Sequence, residues 1–312
     1  MSEASLAAPL VSVVLPTYNR AHTLPRAMAS VLNQSYRNIE LLVVDDGSKD
    51  NTAEVMAGIS DPRVRYIPLP ENGGASHARN AGMAEAVGAY IAFQDSDDEW
   101  LADKLARQVA AAIASGEAAV TVFHPKIVVG KDEHARYGPH RVCCMPAIPT
   151  HDRDFIRLIH ESNLISPQAL LISREAYARV GDFNEDLVNN EDWMFGIELF
   201  YATKVVFIEE PLVINYLQSD SISKLMRPGA RAQLRVIQKL RRLPEAKAAT
   251  IAGHIARVGW AISKLGYPRF ASRLLMKSLR MDPWAWRNWA RLAITQLQVL
   301  RGAGRANRAR AA

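Results

Sequence analysis

The sequence predicts an α/β protein: a doubly wound, mostly parallel sheet followed by a C-terminal helical extension. Two observations predict the sheet, since continuous apolar runs alternate with helical patterns, and polar residues follow the end of each run. A third observation predicts the extension, because the charge balance changes sign near residue 226. The chain has 312 residues, of which 49% are hydrophobic and 22% charged, so it can bury a large core and is neither disordered nor fibrous.

The first half of the chain alternates predicted strands with predicted helices. The run PLVSVVLPTYNR is a strand closed by Pro16, and an amphipathic helix follows it. The run NIELLVVDDGS is a second strand, followed by a helix that Asn51 or Thr52 caps and that continues through Ile59. VRYIPLP is a third strand, a helix spans about 75–87, and AYIAF is a fourth strand. This order predicts parallel strands with ligands at their carboxyl ends.

The fourth strand ends in a cluster of acids, namely Asp95, Asp97, Asp98 and Glu99. Like charges this close repel one another and destabilise the fold unless a cation or hydrogen-bond donors neutralise them. A solvated turn before a helix N-terminus, where acids suit the helix dipole, is the alternative interpretation.

Three other polar groups follow strands at the same predicted edge: PTYN, DDGS and NGGASHARNAG. A turn or a cap is the usual interpretation of each group alone. Together they supply an aromatic ring, carboxylates, backbone amides and a guanidinium, which are the groups that bind a nucleoside diphosphate. Neither GxGxxG nor GxxxxGK[ST] occurs, which disfavours dinucleotide oxidoreductases and P-loop enzymes, so we expect a metal to help hold the diphosphate.

Five motifs occur in the chain in this order: VSVVLPTYNR, ELLVVDDGSKDNT, NGGASHARNAG, AYIAFQDSDDEW and VGDFNEDLVNNEDWMFGIEL. With these motifs the chain resembles the inverting family-two glycosyltransferases of GT-A fold, from about Leu10 to Lys224. The resemblance implies that Pro16 and Tyr18 line a nucleotide pocket. It also implies that Asp46 recognises the base, usually uracil, and that Arg79 lies near the base or diphosphate.

Two acidic motifs carry the chemistry that the resemblance implies. Asp95-Ser96-Asp97 resembles the DXD motif, with Asp95 towards the ribose or metal and Asp97 holding Mg²⁺ or Mn²⁺. Asp98 would then support these acids or cap a helix. The pair Glu191-Asp192 resembles the acids that open a helix in the family, with Asp192 as general base and Glu191 orienting it. Trp193 would form an acceptor wall, and helix capping by both acids is the alternative.

One position departs from the family pattern. Many members carry a histidine after the segment matching PLVINY that helps hold the metal diphosphate, whereas this chain has Gln218 there. Either the alignment is shifted by one residue at this point or the metal is held less strongly. Seven histidines show no metal-ligand spacing: His22, His77, His124, His134, His140, His151 and His160.

The adjacent Cys143 and Cys144 make a structural disulfide between them awkward and indicate a reducing, cytoplasmic setting.

The charges divide the chain into two parts. Residues 1–225 hold 19 Lys and Arg against 30 Asp and Glu, a net charge of −11, whereas residues 226–312 hold 19 against 2, a net charge of +17. We therefore predict a catalytic domain at 1–225 and a basic, Trp-containing helical extension at 226–312. Within the first, about 10–110 would bind the nucleotide sugar and about 111–225 the acceptor.

The extension is predicted to be helical. RAQLRVIQKLRRL places Leu234, Ile237 and Leu240 on one face, and three tryptophans follow close together further along. A helical bundle with solvated arginines is the simpler interpretation. A membrane surface with anionic headgroups is the partner we favour, while no nucleic-acid motif is visible. Since neither a signal peptide nor an apolar window of about 18 residues occurs, the expected location is cytoplasmic and peripheral at the inner face of the plasma membrane.

The function expected from these observations is metal-dependent, inverting transfer of a sugar from a UDP-sugar to a saccharide or lipid-linked hydroxyl. A non-catalytic nucleotide-sugar-binding or scaffolding protein on the same fold is the alternative. Nucleotidyl transfer would need a lysine-rich crevice, whereas the predicted crevice is acidic.

Overall fold

The computed structural model describes residues 8–129, 158–161, 163, 165–187, 189–217, 226–243 and 246–311. Cys143, Cys144 and Gln218 lie outside these residues, as do His134, His140 and His151. The chain divides into two compact units: Met1–Ile159 with Asn163–Asp186 and Glu191–Ser221, and His160–Ser162 with Leu187–Asn190 and Ile222–Ala312.

The first unit begins with the predicted alternation of strands and helices. Its elements are β1 (Val11–Thr17), α1 (Leu24–Leu32), β2 (Ile39–Asp45), α2 (Thr52–Ala57), β3 (Val64–Pro68), α3 (Ala75–Glu85) and β4 (Tyr90–Phe93). The predicted order is confirmed. The second helix ends at Ala57, before Ile59, and Asn51 is its N-cap residue without a side-chain cap bond.

The rest of the first unit has shorter elements. They are β5 (Glu99–Trp100), α4 (Lys104–Ala114), β6 (Val120–Phe123), β7 (Ile127–Val129), a 3₁₀ turn (Pro167–Ala169), β8 (Leu171–Ser173), α5 (Arg174–Val180), α6 (Glu191–Ala202), β9 (Lys204–Phe207) and β10 (Val213–Tyr216).

Within the described residues, seven strands form one sheet in the order β3-β2-β1-β4-β8-β6-β9. β8 runs antiparallel to both of its neighbours, and the remaining pairs are parallel. A smaller sheet has the order β5-β10-β7. The predicted class, a mostly parallel doubly wound sheet with helices at the C-terminal end, is confirmed.

β1 lies between β2 and β4, so all seven of its residues are buried. The prediction that this strand closes at Pro16 is wrong by one residue, because β1 continues to Thr17. Pro16 lies beyond the last β1–β4 pair, Val14 with Phe93, so its missing amide proton interrupts no ladder with β4.

The second unit is helical, with α7 (Met226–Leu240), α8 (Ala248–Lys264), α9 (Pro268–Met281) and α10 (Trp286–Ala311). Each helix packs on the next, α8 on α7, α9 on α8 and α10 on α9. Ile237 and Leu240 are buried as predicted, but Leu234 is exposed and Val236 takes its place in the interior. In the part of the chain that is described, no helix combines the length and the apolar character needed to cross a membrane.

Candidate active site

Asp46 follows β2 and holds the loop that precedes α3. Its Oδ1 accepts a hydrogen bond from the Gly73 amide at 2.9 Å and its Oδ2 accepts one from the Gly74 amide at 2.8 Å. Gly74 has a φ of 93°, a conformation that glycine adopts without steric cost. Asp46 therefore fixes the backbone entry to α3. Base recognition by Asp46 stays a prediction, and each carboxylate oxygen has a further lone pair for it.

The loops after β1 and β2 are tied together beside this site. The Asn19 amide donates to Ser48 Oγ at 2.9 Å, and the Lys49 amide donates to Asn19 Oδ1 at 2.7 Å. This pairing fixes the backbone on either side of Tyr18, whose residue surface is 42% exposed. Pro16, by contrast, is buried within β1. Of the two residues predicted to line the nucleotide pocket, Tyr18 is the one whose ring is accessible for stacking.

Arg79 lies on α3 and joins the two groups of acids. Its Nη2 donates to Asp95 Oδ1 at 3.0 Å, and its Nη1 lies 3.5 Å from Glu191 Oε1. Burial alone lowers the pKa of Arg79, but the charges of Asp95 and Glu191 outweigh it and raise that pKa above its ordinary value. Nε and Nη1 have no hydrogen-bond acceptor among the described residues, although both are buried. The guanidinium is thus fixed as a cation with donors to spare.

Asp95 and Asp97 are the more accessible acids of the loop after β4, with side chains 26% and 24% exposed. Asp97 Oδ2 lies 3.9 Å from Arg20 Nε, in the loop after β1. The Asp97 carbonyl accepts a hydrogen bond from Arg26 Nη2 at 2.6 Å, and Arg26 Nε lies 2.9 Å from Glu99 Oε1. Sequence reasoning missed both arginines, although Arg20 belongs to the PTYNR motif.

Asp98 is fully buried and connects three distant segments. Its carboxylate accepts hydrogen bonds from Gln168 Nε2, from Asn215 Nδ2 at 2.7 Å and from the Tyr216 amide at 2.8 Å. Burial, together with the charges of Asp95 and Asp97, raises its pKa to about 8. Of the two roles expected for Asp98, helix capping is wrong, because Asp103 is the N-cap residue of α4. Asp98 anchors β10 and the 3₁₀ turn to the acidic loop instead.

A divalent ion bound by Asp95 and Asp97 would need further ligands that these two side chains do not supply. Across the described ranges, no three His, Cys, Asp or Glu side chains group closely enough to hold a metal by themselves. Asp95 and Asp97 offer two carboxylates, the hard oxygen donors that Mg²⁺ and Mn²⁺ prefer, and their charge is strong enough to raise the pKa of buried Asp98. The two carboxylates fit an ion whose remaining ligands come from other sources than these side chains.

Glu191 and Asp192 are the first two residues of α6. The Asp192 Oδ1 accepts a hydrogen bond from the Trp193 amide at 2.7 Å. Burial and then the charge of Glu191 raise the pKa of Asp192 to about 6, while a hydrogen bond with Asn163 opposes them. A carboxylate with this pKa is mostly ionised at neutral pH and still basic enough to take a proton. Sequence reasoning missed Asn163.

Trp193 is buried, and its Nε1 donates to the Ile159 carbonyl at 2.6 Å. Its ring thus packs in the interior of the first unit, and a contact with an acceptor stays a prediction. Asn80, next to Arg79 on α3, exchanges two hydrogen bonds of 2.9 Å with the Phe183 backbone. Phe183 in turn stacks on Phe195 of α6, with ring centroids 4.0 Å apart. This chain of contacts supports the acids at the start of α6.

With the geometry established, three comparisons place the chain among known proteins. The sequence model of the family described as Glycosyl transferase family 2 matches residues 12–181, more than half of the chain. UDP-Glc:alpha-D-GlcNAc-diphosphoundecaprenol beta-1,3-glucosyltransferase WfgD of Escherichia coli is 46% identical over 100 residues, 32% of this chain and 40% of that protein. The uncharacterized glycosyltransferase RP339 of Rickettsia prowazekii is 30% identical over 209 residues, 66% of this chain and 63% of that protein. The chain therefore spans less than two thirds of either relative.

Solved structures share the fold. Staphylococcus aureus TarS 1–349 has a TM-score of 0.63 at 17% identity, with 94% of this chain and 91% of TarS 1–349 covered. The mannosyltransferase PcManGT of Pyrobaculum calidifontis, solved with GDP-Man and Mn²⁺, has a TM-score of 0.59 at 17% identity, with 94% and 86% covered. The five sequence motifs, the parallel sheet with its acidic edge and the family match agree: the chain belongs to glycosyl transferase family 2.

Proposed function

We propose that this protein transfers a sugar from a nucleotide-diphospho-sugar to a hydroxyl acceptor with inversion at the anomeric carbon. One observation carries the proposal: buried Arg79 lies between two separate acid groups, with Asp95 3.0 Å on one side and Glu191 3.5 Å on the other. Inverting single displacement needs that separation, because the acceptor attacks the sugar from the face opposite the leaving diphosphate.

The donor side of the proposed site uses Pro16, Tyr18, Asp46, Arg79 and Asp95. The exposed Tyr18 ring would stack on the base, and the spare Arg79 donors would bind diphosphate oxygens. UDP is the proposed nucleotide, since TarS was solved with UDP-GlcNAc and the name of WfgD specifies UDP-Glc.

Asp95 and Asp97 would hold Mg²⁺ or Mn²⁺. A divalent ion bound there offsets the negative charge that develops on the leaving diphosphate. Asp98 supports this loop from behind through its bonds to Asn215 and Tyr216. Arg26 fixes the backbone of Asp97 from α1.

On the acceptor side, Asp192 would take the proton from the attacking hydroxyl. Its pKa of about 6 places it near the value that suits a base at neutral pH. The charge of Glu191 raises that pKa, Glu191 would orient Asp192, and Trp193 would line the acceptor side. As the hydroxyl attacks, its oxygen would bond to the anomeric carbon, the bond from that carbon to the diphosphate oxygen would break, and Asp192 would hold the proton.

The acceptor we propose is a saccharide or a lipid-linked hydroxyl. The name of WfgD specifies a diphosphoundecaprenol-linked acceptor, which supports the second class. We assign donor and acceptor binding to residues 1–225. Residues 226–312, with a net charge of +17, would hold the protein peripherally at the inner face of the plasma membrane.

Donor hydrolysis tests transfer against the alternative of a non-catalytic nucleotide-sugar-binding protein. A panel of nucleotide sugars with Mn²⁺ should first identify the donor that raises the melting temperature most, and we expect a UDP-sugar. If wild type slowly releases UDP from that donor and Asp192→Asn does not, the result supports catalysis. Binding without hydrolysis in either the presence or absence of acceptor saccharides would support the non-catalytic alternative.

A further inference from the structure

A cleft of about 320 Å³ lies in the second unit, beside the start of α10. Three arginines line it: Arg257 from α8, and Arg287 and Arg291 from α10. Trp286 and Asn288 complete its polar and aromatic wall. The cleft is therefore lined by three basic residues.

These cations lack a matching acid in their segment, since residues 226–312 hold 19 basic residues and two acids. Burial lowers the pKa of Arg257, and the positive charge of Arg291 lowers it further, against a weaker effect of Glu161. Arg257 Nη2 donates to the Glu161 carbonyl at 2.9 Å and lies 2.6 Å from His254 Nδ1. The pKa of His254 is lowered to about 4, so this histidine is neutral at physiological pH. The repulsion within the cleft favours an anion.

The backbone contributes to the same preference. α10 begins at Trp286 and is 26 residues long, so the positive end of its dipole lies at the cleft. The Trp286 and Asn288 amides already donate to the Trp284 and Ala285 carbonyls, so the dipole rather than these two amides acts on an anion. Arg291 Nη1 donates to Asn288 Oδ1 at 3.1 Å, which positions that guanidinium one turn into the helix. Arginine side chains and a helix N-terminus together match the oxygens of a phosphate group.

We propose that this cleft binds the phosphate group of an anionic lipid. The guanidinium groups would donate to the phosphate oxygens in pairs, a geometry that lysine does not reproduce. The site lies outside the proposed transfer site and does not depend on the transfer reaction.

The outward face of α10 points to a lipid as the source of the phosphate. Trp286, Trp289, Leu297 and Leu300 recur at intervals of three to eight residues on one stripe and are 70%, 53%, 54% and 66% exposed. The opposite face is polar, because Thr295 is buried with its Oγ1 3.2 Å from Ser263 Oγ. A helix that buries polar side chains and exposes an apolar stripe is the reverse of a water-facing helix. Trp286 belongs to both cleft and stripe, so an apolar chain attached to a bound phosphate has a surface beside it.

The test uses the full-length protein and vesicles of phosphatidylcholine with or without phosphatidic acid. Arg287→Gln/Arg291→Gln removes two charges from the cleft, and Arg273→Gln/Arg280→Gln removes two exposed charges from α9, so both lose the same long-range attraction. We expect the cleft variant to partition onto phosphatidate vesicles at least about tenfold less than the control variant, because it also loses the paired phosphate contacts. Equal partition of the two variants would overturn the proposal.

Two further measurements separate the phosphate from its apolar chain. Calorimetric titration with inorganic phosphate should give binding to wild type and to Leu297→Ser/Leu300→Ser that Arg287→Gln/Arg291→Gln removes, whereas only wild type should retain full vesicle binding. Phosphate binding that depends on Arg287 and Arg291, in a protein without any preference for phosphatidate vesicles, would assign the cleft to a soluble anion and refute a lipid site. If the cleft variant does not fold, as judged by circular dichroism, Arg287→Gln alone replaces it, because Arg287 is exposed.

Discussion

Arg79 Nη2 lies 3.0 Å from Asp95 Oδ1, and this contact links α3 to the acidic loop after β4. The same guanidinium reaches Glu191, and its charge also acts on Asp192. A change at Arg79 should therefore alter both the donor side and the base, although the two acid groups lie almost a hundred residues apart in sequence.

Replacing Arg79 should shift the pH dependence of activity. The charge of Arg79 is one of the factors that lower the pKa of Asp192, so Arg79→Gln should raise that pKa. Since the base must be ionised, the acid limb of kcat should move to higher pH. The matched control is Arg65→Gln, an exposed arginine paired with Glu85, which should leave the limb in place. An unmoved limb in Arg79→Gln would exclude electrostatic coupling between Arg79 and the base.

Asp192→Asn should reduce kcat by about 10²–10⁴-fold, the usual contribution of a positioned base, with little change in donor affinity. In wild type, kcat should fall as the pH drops below about 6, because protonation of Asp192 removes the base. Glu191→Gln removes a charge that raises this pKa, so its acid limb should move to lower pH. If Glu191→Gln abolishes activity while Asp192→Asn keeps it, Glu191 is the base.

Much of the fold could be predicted because its determinants are local. The apolar run of β2 and the helical spacing of α1 each lie within one short segment, and β1 to β4 follow in the predicted order. The connections of Asp98 to Gln168 and Asn215 could not be predicted, because they span 70 and 117 residues. For the same reason the effect of Arg79 on both acid groups depends on tertiary packing that the motifs alone do not specify.

The C-terminal helices show the limit of periodicity. Leu234 fits the predicted apolar face of α7 but is exposed, whereas Val236 is buried. The spacing of apolar residues locates the buried face of a helix to within about one residue position around the helix axis. Contacts with neighbouring helices then determine which residues are buried. Similarly, the sequence shows that three tryptophans lie close together, but the position of Trp286 and Trp289 on the exposed stripe of α10 required the structure.

Asp98 should make stability depend on pH. Its pKa is about 8 in the folded state and about 3.9 in an unfolded chain, so the folded state binds the proton more tightly. The stability contributed by the protonated form is full below pH 4. Above that pH it falls by up to about 1.4 kcal/mol per pH unit, and it is lost once the pH has risen through 8. Urea unfolding at pH 6 and pH 9 should show a smaller loss in Asp98→Asn than in wild type, and Asp103→Asn, an exposed acid, should behave as wild type. Equal losses in wild type and Asp98→Asn would contradict the raised pKa.

Asp97→Asn should weaken UDP binding only in the presence of a divalent ion. If Asp97 holds the ion, the substitution removes the metal-dependent part of the affinity and leaves the stacking on Tyr18. Calorimetric titrations with and without Mn²⁺ measure the enhancement directly. Glu117→Gln, an exposed acid after α4, is the control that should keep it. The same enhancement in Asp97→Asn and wild type would remove Asp97 from the metal site.

The contact between α3 and the sheet should tolerate no added methyl group. A Cβ on Gly82 would lie 2.4 Å from Val14 Cγ1, which forces α3 away from β1. Gly82→Ala should lower the free energy of unfolding by about 1–3 kcal/mol, as overpacking does elsewhere. Gly58→Ala, where the added atom would lie 3.5 Å from the Val55 carbonyl, should change it by no more than about 0.5 kcal/mol. Similar stabilities of the two variants in urea would contradict this packing.

The anomeric configuration of the sugar released from the donor tests the central claim most directly, and it requires no knowledge of the acceptor. Water can take the place of the acceptor hydroxyl, so proton NMR spectra recorded at the start of UDP-sugar hydrolysis report the stereochemistry before the free sugar equilibrates. Attack opposite the diphosphate, assisted by Asp192, predicts that an α-linked donor first yields the β anomer. Initial release of the α anomer would contradict single displacement between the two acid groups.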